Sequence, residues 1–472
     1  MDQHASDKHV TSKQRIVSPK VLIIGAMASY SVWLLGFLFD TSLFSLVTKQ
    51  AQTNHVFIIS VVSHVLGYAY FGYRVTHLES AKRYVKFGLV GIIAILGLMV
   101  HIPSAFALGL FAIGAFFGSG ILVSFAYLIK AAIPKAERAV AMGVVLIFTN
   151  LGLFVLDELM LLNRARVATV FVMLMLIISL VLSLFLQHLS DIEIDAPSYQ
   201  NPMFLRKDLW LLGLMIAIIT INGGLMYKVI VPSYTSLGSI VSHLWLWPYM
   251  LGIILYLILC KFASRGSILI GFTALLGFSF VVYLVGSISM PSFLMVFLFL
   301  MVPLGAFDSY WWGTLTELFD ETQRPGSVFA FGMVANVMGV LIGMLISEIL
   351  ASLPNQGTLV VAIALTSVFV VLGVFPLLNH LLYDKDLLEI DVVSLFDFAS
   401  HENKIKLVVQ QLSERELQIT KGLLEGKTYK MIAADLHLSV NTIKFHIRTI
   451  YEKFEVKSRF ELKQLFEKGS QK

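Results

Sequence analysis

Only 14% of the 472 residues are charged, and one alone is cysteine. A soluble chain carries about 25% charged residues, so this scarcity excludes solubility along most of the length. The single Cys260 excludes an internal disulfide and any multi-cysteine metal site. Lying near a helix end beside Lys261, it reads as a small apolar packing residue. No P-loop, HExxH or nucleophile elbow is present, so no enzymatic activity, cofactor or metal is expected. A cleavable signal is missing too. Val21 to Phe39 is long enough to span a bilayer and follows Lys13, Arg15 and Lys20. It lacks a small-residue cleavage site and reads as an anchor.

What the chain does hold is hydrophobic sequence: 57% of residues, with a mean hydropathy of +0.82. A helix needs about 20 apolar residues to cross the hydrocarbon. Such runs fall at 20–40, 55–74, 85–102, 105–129, 139–160 and 166–187, then at 208–231, 239–260, 266–288, 291–316, 327–351 and 357–383. The expected organisation is an N-terminal tail (1–19), six spans (20–187), a polar loop (188–207) with Asp191, Glu193, Asp195, Pro197 and Pro202, and six more spans (208–383). A linker (384–411) and a C-terminal domain (412–472) follow. Fifteen of the 35 Lys and Arg residues lie from Asp384 onward, in under a fifth of the chain. That tail is a different physical object from the apolar part.

Orientation follows from basic residues in short loops. With the N-terminus inside, the inner segments hold sixteen, among them Lys82, Lys130, Arg138, Arg206 and Arg324. The outer segments hold four: Lys49, Arg164, Arg166 and Lys228. An even number of spans then returns the tail to the cytoplasmic side of the inner membrane. Two similar segments, Ala139-Val-Ala-Met-Gly143 and Val328-Phe-Ala-Phe-Gly332, open the fifth and eleventh spans. That placement is what duplication of six spans predicts.

In span count, central loop and orientation the membrane part resembles the major facilitator superfamily. The resemblance implies an all-α bundle of two six-helix halves. The family's signature loop after the second span carries an Asp, but Gly72-Tyr-Arg-Val-Thr-His-Leu-Glu-Ser-Ala-Lys-Arg83 keeps only the Gly and the bases. The fourth span has no Arg, and the fifth lacks the Gly-Pro pattern of drug antiporters. These departures argue against proton-coupled transport and leave the fold untouched.

From Leu412 the hydrophobic period changes. Ser413 is placed to cap a helix with Glu414 and Glu416 in its first turn, where the helix dipole favours acid. Gly426 ends it. Thr428 caps a short second helix through Asp435, and Ser439 caps a third over about Val440–Phe454. A fourth is expected from about Ser458 to Glu467. Ile443, Ile447, Ile450 and Phe454 recur at helical spacing and predict one buried stripe. Asn441, Lys444, Phe445, Arg448 and Glu452 take the opposite side. A helix lying in the major groove of DNA needs such a face, with long cations for base edges and phosphates.

The run Leu412-Ser-x-Arg415-Glu416, Gly426-Lys-Thr428, Ile432-Ala433, Leu436-x-Leu-Ser439, Thr442-Ile-Lys444-x-His446, Ile450-Tyr-x-Lys453-Phe and Val456-x-Ser-Arg459 resembles the LuxR/NarL-type helix-turn-helix domain of bacterial regulators, without a gap. The resemblance implies that Lys444, Phe445 and Arg448 face the groove. It puts Thr428, Tyr429 and Lys430 at the start of a bracing helix against the DNA backbone, and brings Thr442 and His446 close to phosphate or under it. It assigns dimerisation on promoter DNA to the fourth helix, with Leu462, Leu465 and Phe466. That family usually has Glu where Gln418 and Met431 stand, and both positions are expected to support the scaffold.

The 28 or so residues of the linker are too few for a phospho-acceptor domain, so the expected input is a small ligand sensed within the bundle. Ionisable residues at membrane depth are the candidates. Asp40, Glu158, Lys228 and Glu348 fall at outer span ends, where they line a vestibule or mark the interface. Asp308 lies inside the tenth span, followed by Tyr310, Trp311 and Trp312. A carboxylate among aromatics suits an organic cation, and the same aromatics suit an interfacial belt. Asn150, Asn222 and Asn336 at mid-span suit interhelical hydrogen bonds. A one-component transcriptional regulator and a transporter with an appended regulatory domain are the two functions these features allow.

Overall fold

A computed structural model describes residues 18–39, 54–99, 101, 104–162, 164–189, 206–238, 244, 246–383, 412–424, 427–436, 438–454, 456, 458–459 and 461–462. The chain divides into two compact units, Met1–Leu387 and Leu388–Lys472.

Among the described residues the first unit holds twelve helices of fourteen residues or more and no strand. They are α1 (Pro19–Trp33), α2 (Asn54–Arg74), α3 (Leu78–Met99), α4 (Ser104–Ala132), α5 (Lys135–Leu161) and α6 (Ala165–Leu184), followed by α7 (Lys207–Leu225), α8 (Leu246–Leu259), α9 (Arg265–Val285), α10 (Met290–Glu317), α11 (Pro325–Leu350) and α12 (Gln356–Tyr383). Ten are long and apolar enough to cross a membrane. The other two are α3, which carries Glu79, Lys82, Arg83 and Lys86 in its opening turns, and the shorter apolar α8. Those charges are why the apolar run starts only at 85, although α3 begins at Leu78. Of the expected eighth span, 239–243 and 245 lie outside the described residues.

Packing repeats between the halves. In the first, α1 lies on α5 and α6, α4 on α2 and α3, and α3 on α6. In the second, α7 lies on α11 and α12, α10 on α8 and α9, and α9 on α12. Each pairing is the first half's shifted by six helices. The halves meet where α2 packs on α11 and α5 on α8 and α10. Even an irregularity is repeated: α1 continues as a π-helical turn, Leu34–Phe39, and α7 as another, Met226–Ile230. The repeat expected from five residues near Gly143 and Gly332 is therefore the repeat of the whole unit.

Lipid supplies no hydrophobic drive between helices, so close packing of small residues holds them together. A Cβ on Gly252 of α8 would lie 2.0 Å from the Val302 carbonyl oxygen, and one on Gly305 of α10 would lie 2.0 Å from that of Tyr249. Only glycine lets these two backbones touch, and the crossing fixes Tyr249 against the second half of α10.

At the bundle face where Pro19 begins, charged groups join the halves. Arg138, buried in the first turn of α5, donates to the Thr316 carbonyl at 3.0 Å and to Asp320 at 2.9 Å. Lys130 donates to the Thr322 carbonyl at 2.7 Å. Ser327 donates to the Gly72 carbonyl at 2.5 Å. Within one half, Lys82 is buried and donates to the carbonyls of Gln187 and Leu189 at 2.9 and 2.8 Å, holding the end of α6 to α3. Basic residues at the helix ends thus fasten neighbouring helices together.

Candidate functional site

The second unit builds its site on α13 (Glu414–Leu424), α14 (Tyr429–Asp435) and α15 (Val440–Lys453). Three hydroxyl residues start them. The Ser413 hydroxyl accepts from the Glu416 N–H at 3.3 Å while the Glu416 carboxylate accepts from the Ser413 N–H at 2.8 Å, a reciprocal capping box. Thr428 accepts from the Met431 N–H and Ser439 from the Thr442 N–H. The turn between α14 and α15 closes through the Leu438 N–H on the Ala433 carbonyl at 2.9 Å. Ile443, Ile447, Ile450 and Phe454 are buried as expected, packed with Ile419, Leu423 and Ile432.

On the other side of α15, Asn441, Lys444, Phe445 and Arg448 are exposed; Phe445 keeps 69% of its surface open. Lys430 is exposed, while Tyr429, Thr442 and His446 are half-buried. The Thr428 hydroxyl is occupied by its cap, and the His446 ring lies edge-on to Phe445 with centroids 5.9 Å apart. Arg448 reaches Glu452 at 3.4 Å.

Two supports are not legible in the sequence. Lys453 of α15 donates to Glu416 at 2.8 Å, tying the last turn of α15 to the first of α13. Arg459 donates twice to the Leu423 carbonyl, at 2.9 and 2.6 Å, closing the end of α13. Both partners of each bond stand on different elements, which spacing along the chain does not reveal. The Lys453 hydrogen bond, with the Ser413 N–H and hydroxyl, holds the Glu416 carboxyl down at about 2, against an ordinary 4.5. A carboxyl depressed in the folded state stabilises it above the unfolded value, and this contribution vanishes as the pH falls from about 4.5 toward 2. Hydrogen exchange of the α13 and α15 amides, corrected for intrinsic rate, is expected to lose protection over that interval. In Glu416→Gln the pH-dependent component is expected to be absent.

Three expectations need correction. Leu462 is fully buried in the unit's own core, so its side chain anchors the segment after α15 and offers no surface to a partner. Leu465 and Phe466 lie outside the described residues. Gln418 and Met431 are exposed, so neither supports the scaffold: both sit on helix faces turned from the core.

In the membrane unit the Asp308 carboxylate is half-buried and accepts from the Tyr249 hydroxyl at 2.5 Å and from the Trp311 indole N–H at 2.8 Å. Among the described residues no Lys, Arg or His pairs with it. Trp311 and Trp312 are buried, packed on each other, and Trp312 also meets Phe329. That burial removes the interfacial-belt reading, because a belt residue must reach the headgroups. It also leaves their ring faces covered, so the aromatics meet Asp308 through an N–H and an O–H. Glu158 and Glu348 stand near the C-terminal ends of α5 and α11, whereas Asp308 lies within α10 and accepts from Tyr249 and Trp311. Asp40 and the side chain of Lys228 lie outside the described residues. Asn222 exchanges hydrogen bonds with Ser367 of α12 at 2.8 and 3.1 Å, the interhelical role expected of it; Asn150 instead donates to the Leu146 carbonyl of its own helix.

Residues 410–466 match the family of bacterial regulatory proteins named luxR. The same region is 40% identical over 62 residues to the nitrate/nitrite response regulator protein NarP of Escherichia coli (strain K12), covering 13% of this chain and 29% of that protein. It is 37% identical over 59 residues to the transcriptional regulatory protein LiaR of Bacillus subtilis (strain 168), covering 12% and 28%. The chain thus spans less than a third of the length of these relatives. The membrane unit is similar in fold to a bacterial homologue of the iron transporter ferroportin in an outward-facing state, with TM-score 0.58 and 13% identity, covering 77% of this chain and all of the other. It is likewise similar to the major facilitator superfamily transporter FucP in an outward conformation (0.56, 11%, 76% and 98%) and to the human organic anion transporter MFSD10 (0.55, 14%, 77% and 97%). The first unit of the chain thus shares the fold of these transporters, and residues 410–466 match the bacterial regulatory proteins of the luxR family.

Proposed function

We propose that this protein is a membrane-embedded one-component transcriptional regulator, which binds promoter DNA through α15 under the control of a small ligand sensed in the bundle. The observation that carries the reading is the exposed row Lys444, Phe445 and Arg448 on a helix braced by α14, in a chain whose other unit is a transporter-like bundle. Lys444 and Arg448 reach base edges and phosphates, and Phe445 meets a thymine methyl. Thr428, Tyr429 and Lys430 approach the flanking backbone, with Asn441, Thr442 and His446 at the groove entrance. The site is an inverted repeat occupied by a homodimer.

Both termini lie in the cytoplasm in this reading, as the loop charges require, and the bundle sits in the inner membrane. Asp308 is the foremost sensing residue, because a half-buried carboxylate held, among the described residues, by the neutral donors Tyr249 and Trp311 suits a cationic partner. Trp311 and Trp312 shape its surroundings. Glu158 and Glu348, with Asp40 and Lys228, flank the route from outside. The protein acts by binding, without catalysis.

A second reading, an active secondary transporter with an appended regulatory domain, is favoured by the same carboxylate, since coupling needs an ionisable group deep in the bundle. Asp308→Asn separates the two. Loss of reporter-gene response with no solute uptake by wild-type protein in vesicles is the regulator's result. Uptake that disappears in Asp308→Asn is the transporter's.

A further inference from the structure

Beside the exposed face of α15 runs a groove of about 700 Å³, walled by Tyr429 at the start of α14 and by Lys444, Arg448, Tyr451 and Glu452 of α15. Its floor is apolar, made by the tyrosine rings with Ile447 and Val456, and its rim carries two cations. The groove shares Lys444 and Arg448 with the face assigned to DNA, so whatever lies on that face borders it. A strand of DNA backbone has the matching character: apolar sugars linked by anionic phosphates.

Two features inside the groove bear on such an occupant. The Tyr451 hydroxyl is shut off from water, and burial followed by the adjacent Tyr429 hydroxyl pushes it up to about 12. It lies beside that hydroxyl without the geometry of a full hydrogen bond. Glu452 puts a carboxylate on the rim and holds Arg448 at 3.4 Å, although both side chains are mostly open to water. An exposed i, i+4 pair of this kind is weak. A phosphate entering the groove meets Glu452 as a like charge and competes with it for Arg448.

We propose that this groove seats a backbone phosphate of one DNA strand, bound by Lys444, Arg448 and the Tyr429 hydroxyl, with Tyr451 as the residue that positions Tyr429 and Glu452 as a built-in brake on affinity. The inference rests on the DNA-binding reading above and adds to it a contact that is indifferent to sequence. Its consequence is unusual for an acidic residue beside DNA: removing its charge strengthens binding, because Arg448 is released and the repulsion ends.

The test uses the full chain in lipid nanodiscs and a labelled random-sequence duplex of about 30 base pairs at low salt, read by fluorescence anisotropy. Glu452→Gln is expected to bind about three- to five-fold more tightly, and the gain is expected to shrink, leaving only the relieved repulsion, when Arg448→Ala is added. Tyr429→Phe and Tyr451→Phe are expected to bind about three-fold more weakly. Their deficit is expected to disappear on a duplex whose phosphates in one flanking segment are replaced by neutral methylphosphonates, an effect that a merely structural tyrosine does not produce. Unchanged or weaker binding by Glu452→Gln overturns the brake. Tyrosine variants that match wild type, or that stay equally deficient on the neutralised duplex, overturn the seat. If wild type binds no duplex, or Lys444→Ala binds as well as wild type, the DNA-binding reading itself falls and the seat with it.

Discussion

The double variant Lys444→Ala, Arg448→Ala is expected to lose promoter binding while folding normally. Both side chains are exposed on α15 and neither contributes to the core of Ile443, Ile447 and Ile450, so their removal leaves the domain intact. A cation on phosphate or a base edge contributes about 1–3 kcal/mol, and each lost phosphate contact lowers the salt slope by roughly 0.9. The two residues are one turn apart and share a groove, so their effects need not add. Even so, a loss of two orders of magnitude or more is expected. A gel-shift series at several salt concentrations measures it, with the Arg448→Ala single variant alongside. Retained affinity with an unchanged salt slope contradicts the assignment of this face.

Arg138→Ala is expected to destabilise the membrane unit more than any surface charge change. Arg138 is 2% exposed and its guanidinium serves four acceptors: the Ile133, Thr316 and Lys130 carbonyls and Asp320. Removing it strands Asp320 and three carbonyls near the seam between the halves, and breaking such a buried pair costs about 3–5 kcal/mol. Asp320 keeps 24% of its side chain open to water, which argues for the lower end of that range. Adding Asp320→Asn removes the stranded charge, so the double variant is expected to recover part of the loss. Thermal unfolding of the purified chain followed by tryptophan fluorescence reports both. Arg265 with Glu317, a bidentate pair at 2.7 Å that is more open on the arginine side, is expected to matter less.

Much of this organisation is legible in the sequence, for reasons that differ by element. Span positions are set by runs of apolar residues, and the runs end within a few residues of the helices wherever polar sequence follows directly. They mislead at α3, whose first turns are charged because Lys82 reaches the end of α6. In the DNA-binding domain the caps Ser413, Thr428 and Ser439 and the isoleucine stripe are local patterns with one structural solution each. What local pattern does not contain is contact between distant elements. Lys453 on Glu416, Arg459 on Leu423 and Tyr249 on Asp308 are all of that kind. Leu462 shows the opposite limit: an apolar residue on a terminal helix suits a dimer surface or an internal anchor equally by spacing, and burial decides for the anchor.

The central claim is that a chain anchored in the membrane holds DNA at defined sites through α15. Chromatin immunoprecipitation of the full-length chain from the membrane fraction, cross-linked in cells, tests it most directly. The account predicts a small number of enriched sites bearing an inverted repeat, all lost in the Lys444→Ala, Arg448→Ala variant at equal protein level. No enrichment, or enrichment that survives in the variant, contradicts it.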